Sequence, residues 1–449
     1  MFECIWLNSH LKKYKQYIYV VMEISEWLLF IPPLVSFMAV WWIYFKILKM
    51  AKDKDMVDNP NARKLQKIPI PVLGGLAVFF GVAFGMLAAC TLTNLWSLAP
   101  VLMAMVIMLY VGWMDDVLSL SSRTRAGIEV IVILGMCLGT HGWVDSLHGL
   151  WGIEEFSLYI AVPLTVFAGV GIINAINMID GVNGLSSGIC MCCSSIFGFA
   201  LLQSGDVADA MLAFSMTTAL VPFWFHNVFG RKSKMFIGDS GTMVMGVLMT
   251  WFVVQILRHD TVIWWTEITE TCLVAFCLAA MAVPVADTVR VMLGRILRGR
   301  DPFAPDKTHL HHIFIKFGMS HAITTATIVG IDIVIALLWY FSYKVLGWSQ
   351  EMQFYLVVFL GVTLVWGTYS VMRLIEKKNS ALKDRLASAS LAHPIEGREW
   401  WNVVRRWLDA PEVLMERKAM RRERILEERN RRKFVNERGG RKKKKNEKE

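Results

Sequence analysis

Charge is scarce through most of this sequence. Asp, Glu, Lys and Arg make up 19% of the 449 residues, against about 25% in ordinary soluble domains. Long stretches carry none at all, which excludes a disordered polyelectrolyte and a soluble domain with an evenly charged surface. Strict apolar/polar alternation is also missing, which makes the strands of a membrane β-barrel a poor alternative. No cleavable signal pattern opens the chain. In "MFECIWLNSHLKKYKQYIYVV" the basic residues follow the apolar ones, the reverse of the required order, and Met22 is an alternative start. The eight cysteines form no disulfide framework, because most lie inside apolar runs. "CMCC" at 190–193 has no second Cys pair and no nearby His, and reads as small packing residues rather than a metal site.

What is abundant is apolar sequence in blocks: 55% of residues are hydrophobic and the mean hydropathy is +0.45. A helix crossing a bilayer needs about 20 such residues. Eleven blocks qualify, near 26–48, 72–92, 97–112, 126–141, 157–173, 184–203, 208–226, 236–257, 269–289, 322–343 and 353–372. The expectation is an all-α integral membrane protein of about eleven transmembrane helices with an active-site cleft on its cytoplasmic face. Residues 1–25 form an extension, 26–376 the polytopic domain and 377–449 a basic tail.

Charge asymmetry sets the orientation. One set of loops carries seventeen Lys and Arg, and the alternate set only Arg258 and Lys344. The basic set is therefore expected to face the cytoplasm, as is the tail. Residues 374–449 hold 23 Lys and Arg against 13 Asp and Glu, which accounts for the whole net charge of +10. In the tail, Trp400, Trp401 and Trp407 mix with Arg as in an interfacial amphipathic helix. The terminal "GGRKKKKNEKE" suits anionic lipid headgroups, and nucleic acid is not an expected partner.

Five polar clusters fall on the basic side. "DD" at 115–116 ends an apolar run. Adjacent carboxylates at a membrane boundary are either a solvated charge pair or ligands for Mg²⁺, which binds through one or two carboxylates plus substrate phosphate. In "NAINMIDGVNGL" at 174–185, Asn174, Asn177 and Asp180 recur every three residues and make a polar stripe on an apolar helix. "FIGDSG" at 236–241 presents Asp239 at the start of a membrane helix, where an N-cap role is the alternative. His309, His311 and His312 follow a stretch rich in Arg and read as a phosphate clamp; zinc has no supporting Cys or carboxylate spacing. Lys64, in "DNPNARKLQKIPIPVLGG", is a positive-inside anchor or a phosphate ligand. Together these groups are what metal-assisted phosphoryl transfer between a nucleotide and a lipid phosphate requires. A transporter would instead place charge mid-span and repeat its halves, and neither pattern is read here.

The ordered set of motifs over roughly residues 50–320 resembles the polyprenyl-phosphate N-acetylhexosamine-1-phosphate transferases. "HLHH" matches the branch that uses UDP-GlcNAc and undecaprenyl phosphate, whereas the phospho-MurNAc-pentapeptide translocases carry three consecutive histidines. The resemblance implies transfer of a HexNAc-1-phosphate, GlcNAc first among them, from a UDP-sugar to undecaprenyl phosphate with release of UMP. That reaction would be the first membrane step of cell-envelope polysaccharide synthesis, such as lipopolysaccharide O-antigen. Another UDP-HexNAc or a deoxy-sugar, or a transporter of anionic or lipid-linked solutes, is the alternative. The resemblance also implies Mg²⁺, with Mn²⁺ as a substitute, a bacterial cytoplasmic membrane, lipid contacts and room for a homodimer.

By motif, Asp115 and Asp116 would handle the acceptor phosphate and its proton. Asp239, with Asp116, would ligate the metal. Asn174, Asn177, Asp180, Asn183, Asn227 and Phe236 would bind the nucleotide sugar. Lys64, His309, His311 and His312 would hold phosphates. Two positions depart from the family: Gln66 where many members have His, and Asn183 where many have Asp.

Overall fold

The computed structural model describes residues 26–58, 69–93, 98–259, 261, 271–301, 308–392 and 395–446. It is all-α apart from one short antiparallel ladder, β1 (Val57–Asp58) with β2 (Ile70–Pro71). The helices in chain order are α1 (Ile31–Asp53), α2 (Gly74–Thr93), α3 (Ala99–Leu118), α4 (Ser122–Thr140), α5 (Leu158–Ile179), α6 (Leu185–Gln203), α7 (Val207–Phe229) and α8 (Gly238–Ile256). Next come α9 (Leu273–Ala280), α10 (Ala282–Ile296), α11 (Leu310–Lys316), α12 (His321–Lys344) and α13 (Gln350–Lys378). The tail adds α14 (Ser380–Ala392) and α15 (Glu399–Asn446).

Among the described residues nine helices are long and apolar enough to cross a membrane, and α9 with α10 makes a tenth if counted as one broken span. The expectation was eleven. The difference is α4, which is helical over the expected stretch but carries Arg123, Arg125 and Glu129. Three charges in one 19-residue helix take it out of the apolar class.

Helix α8 is the centre of the bundle. Its segment is 94% buried, while α13 is only 17% buried and faces outward. Glycines let the helices close on α8. A Cβ at Gly75 would lie 2.3 Å from the Gly241 backbone, and one at Gly246 would lie 2.7 Å from Ile173 Cα.

The break between α9 and α10 bends the chain by 81° at Met281. Pro284 explains it: proline has no N–H to donate and its ring collides with the carbonyl four residues earlier. The groups freed at the break find partners. Cys193 Sγ donates to the Ala280 carbonyl at 2.8 Å, and Asp332 accepts from the Val283 N–H at 2.9 Å. Asp332 is a mid-span carboxyl, 3% exposed on α12, where charge was expected only at helix ends. It caps a helix start inside the bundle.

Helices α1 to α8 alternate in direction, as the contacts between their ends show. Helices α1, α3, α5 and α7 end at one end of the bundle, and α2, α4, α6 and α8 begin there. The short ladder, α11 and the start of α15 lie at that same end.

Candidate active site

The start of α8 is the hub. Gly238 adopts φ +70°, a left-handed turn that glycine enters without strain. A Cβ there would stand 2.7 Å from Asp116 Oδ2. The first turn of α8 leaves backbone N–H groups without partners in the helix. Asp116, at the end of α3, supplies a carboxylate to them and accepts from the Asp239 N–H at 3.1 Å. The approach is close because Gly112 lies one turn earlier on α3. A Cβ at Gly112 would be 2.4 Å from Ser240 Cα and 2.5 Å from the Asp239 carbonyl.

Asp115 is held by its own loop. Oδ1 accepts from the Leu120 N–H at 2.7 Å, and Oδ2 accepts from Arg125 at 2.8 Å. Arg125 also faces Glu129 at 3.8 Å, and Glu129 accepts from the Asn174 amide at 2.6 Å. Asn174 is 4% exposed and therefore supports this buried network rather than the wall of the cleft. Asn177 donates to Asp239 Oδ1 and to Thr242, both at 2.9 Å, which fixes the Asp239 rotamer.

Asp180 terminates α5 and accepts from Ser186 at 2.7 Å. The residue is open to the cavity, yet desolvation by the surrounding cleft raises its carboxyl to about 7; the Ser186 bond opposes the shift and the Asp239 charge adds to it. Gly181 follows, and a Cβ there would lie 2.3 Å from His311 Nε2. His311 thus wedges against the turn after α5. Burial lowers its pKa, and His312 and His309 lower it further, so it is neutral. Its Nδ1 is buried without a hydrogen-bond partner. His309 faces the other way, with Nδ1 2.9 Å from Asp287, which also accepts from Arg290. The Asn183 N–H points at His321 Nδ1 at 3.2 Å, and its carbonyl accepts from Thr325. The Asn227 amide donates to the Met235 carbonyl at 2.7 Å, and the Phe236 N–H donates to the Pro71 carbonyl of the ladder at 2.7 Å. Lys64 and Gln66 lie outside the described residues.

These elements enclose one cavity of about 870 Å³. Its wall includes Asp115, Asp116, Asp180, Asn183, Asn227, Phe236, Asp239 and His312. Asn174, Asn177, His309 and His311 are not on the wall. Asn177 holds Asp239 and His311 abuts Gly181, both of which are, whereas Asn174 and His309 bond Glu129 and Asp287 behind it. Sequence reasoning missed Arg125, Glu129, Ser186 and Thr242. Glu129 had left a signal: a carboxylate on an apolar helix, four residues after an arginine.

The sequence model of glycosyl transferase family 4 matches residues 98–257. A Bacillus subtilis protein described as a probable undecaprenyl-phosphate N-acetylglucosaminyl 1-phosphate transferase is 30% identical over 305 residues, covering 68% of this chain and 82% of that one. The chain belongs to this family. Its Yersinia pestis relative, an undecaprenyl-phosphate alpha-N-acetylglucosaminyl 1-phosphate transferase, is 30% identical over 279 residues, covering 62% of this chain and 74% of the relative. The relative of the same description in Salmonella typhi is 27% identical over 349 residues, 76% and 91% of the two chains. The family match spans α3 to α8, so it contains Asp115, Asp116, Asp180 and Asp239 but not His309, His311, His312 or the tail.

The donors fit a hard divalent cation. Among the described residues no three His, Cys, Asp or Glu side chains gather closely enough to enclose an ion by themselves. Mg²⁺ does not need that: it takes one or two carboxylates and completes its shell with water and substrate phosphate. Asp116 accepts from the Asp239 N–H at the α8 start and both residues line the cavity, so two carboxylates stand on one wall for such an ion.

Proposed function

We propose that this protein transfers GlcNAc-1-phosphate from UDP-GlcNAc to undecaprenyl phosphate, releasing UMP. The observation that carries the reading is the convergence of four aspartates from α3, α5 and α8 on one cavity at the polar end of a membrane bundle. The cavity volume suits a nucleotide sugar. A lipid acceptor can keep its chain in the bilayer while its phosphate reaches this end. The seventeen-to-two distribution of basic loop residues supports a cytoplasmic orientation of the cleft.

Both reactants are anions, and the task of the site is to bring them together. Asp116 and Asp239 would hold Mg²⁺, or Mn²⁺ in its place, and the ion supplies the positive charge that offsets their repulsion. Asn177 keeps Asp239 aimed at that position. Arg125 neutralises Asp115, which lowers the electrostatic cost of a third carboxylate beside the pair. Asp180 stands on the cavity wall, where it can receive the proton of a monoanionic acceptor. His312 on the wall, and Lys64 by its motif, would be the phosphate ligands. Direct attack by the lipid phosphate needs no covalent enzyme intermediate.

The test is incubation of purified protein with undecaprenyl phosphate, Mg²⁺ and a panel of UDP-sugars, scoring UMP. The expected result is release with UDP-GlcNAc that is abolished by EDTA. Release only with another UDP-HexNAc would move the sugar assignment, and release with none would overturn the reading.

A further inference from the structure

Three cations stand on the cavity wall: Arg231, Lys234 and Arg405. The first two belong to the short loop between α7 and α8. Arg405 comes from the tail helix α15, far outside the stretch that the family model matches. The tail is not laid loosely against the bundle. Trp401 is 2% exposed and packs on Phe229 with ring centroids 4.3 Å apart, while Trp407 meets Trp41 at 5.8 Å. Asp409 takes the N–H groups of Arg231, Lys232 and Ser233 and the Ser233 hydroxyl, at 2.7–3.2 Å. Lys52 of α1 reaches Glu412 at 2.5 Å, and Lys232 pairs with Glu416. Between these anchors, half-buried Arg405 donates weakly to the Phe229 carbonyl at 3.4 Å and to Asn402 at 3.3 Å. Both bonds are long, neither partner is charged, and Arg405 borders the cavity.

We propose that the tail helix is part of the active-site wall and that Arg405 binds a phosphate oxyanion of one of the two substrates. The chemistry is that of a guanidinium meeting phosphate in a partly desolvated cleft, where paired N–H donors give both charge and direction. The phosphate belongs to the nucleotide sugar or to the lipid, and the experiment separates the two. The inference rests on the phosphoryl-transfer reading given above.

The test uses the full-length protein with Arg405→Gln, Arg405→Lys and Arg406→Ala. Glutamine keeps an amide donor for the Phe229 carbonyl but removes the charge, so it separates packing from electrostatics. Arg406 is the exposed neighbour and does not border the cavity. Arg405→Gln is expected to raise KM about tenfold for one substrate and leave the other unchanged, the size of one charged contact. It should also flatten the dependence of that KM on salt. Arg405→Lys should recover part of the loss, and Arg406→Ala should match wild type. A rise for UDP-GlcNAc assigns the contact to the nucleotide sugar, and a rise for undecaprenyl phosphate assigns it to the lipid. Arg405→Gln with both KM values within twofold of wild type would overturn the proposal. Equilibrium titration of each substrate alone reads the same contact without turnover. Failure of wild type to release UMP would therefore count against the transfer reading and leave Arg405 separately tested.

Discussion

Gly112→Ala is the sharpest probe of the geometry. The added methyl would stand 2.4 Å from Ser240 Cα and 2.5 Å from both the carbon and the oxygen of the Asp239 carbonyl. All three atoms are backbone, so no side-chain rotation relieves the clash. Carbon atoms rest at about 3.5 Å, so α3 and the α8 start must part by about 1 Å. Asp116 lies one turn beyond Gly112 on the same face, and its 3.1 Å bond to the Asp239 N–H would open to about 4 Å, beyond hydrogen-bonding range. Mg²⁺ tolerates little change in its oxygen distances of about 2.1 Å. A displacement of about 1 Å at a catalytic site costs about 100-fold in rate. The expected result is a kcat for UMP release about 100-fold below wild type, with the protein still folded by circular dichroism. Gly127→Ala and Gly135→Ala are the controls. Both sit on α4 with nothing within 4 Å of the added methyl, and both should keep full activity. A folded Gly112→Ala enzyme with more than half the wild-type kcat would refute the reasoning.

Asp239→Asn should abolish Mg²⁺-stimulated UMP release without changing expression or melting temperature, and a retained rate across a Mg²⁺ titration would remove it from the metal site. Gly181→Ala places a methyl 2.3 Å from His311 Nε2, so it should shift the Asp180 turn and lower kcat at least tenfold, as read in the same assay. Asp409→Ala removes the carboxylate that holds residues 231–233, and limited proteolysis should then cut the tail or that loop faster than in wild type. Burial raises the Asp409 carboxyl, but the Ser233, Lys232 and Arg231 hydrogen bonds outweigh it and leave the group below its usual value. Its contribution to docking is therefore complete above the ordinary aspartate range near pH 4 and fades as pH falls through its lowered value. Proteolysis of wild type should accelerate only under those acidic conditions.

The functional end of the bundle was readable because polar groups are costly in apolar helices. Asn177, Asp180 and Asp239 stand out against their surroundings, and the structure brings Asp115, Asp116, Asp180 and Asp239 to one cavity. What the sequence hid was direction. Spacing put Asn174 and Asn177 on one helical stripe, yet Asn174 turns to Glu129 while Asn177 turns to Asp239. Which neighbour each amide meets depends on the packing of α4 and α8, and no local pattern encodes it. The histidines divide in the same way, with His309 on Asp287 and His312 on the cavity wall. Asp332 was passed over because its partner is a backbone N–H 49 residues away at a helix break. Tail docking was hidden for a related reason. Asp409 closes the stretch that reads as an interfacial amphipathic helix, and its partners lie 176 to 178 residues earlier.

That last separation has a consequence for biosynthesis. The loop at 231–233 is made 177 residues before Asp409, measured from Lys232. At about 5–20 residues per second the ribosome needs roughly 9–35 s to cover the gap. The bundle can insert and pack during that interval, but the rim around Arg231 has to wait for the final stretch of the chain before it takes its finished shape. Each newly made molecule thus passes through a stage in which its helices are in place and its entrance is still unfinished.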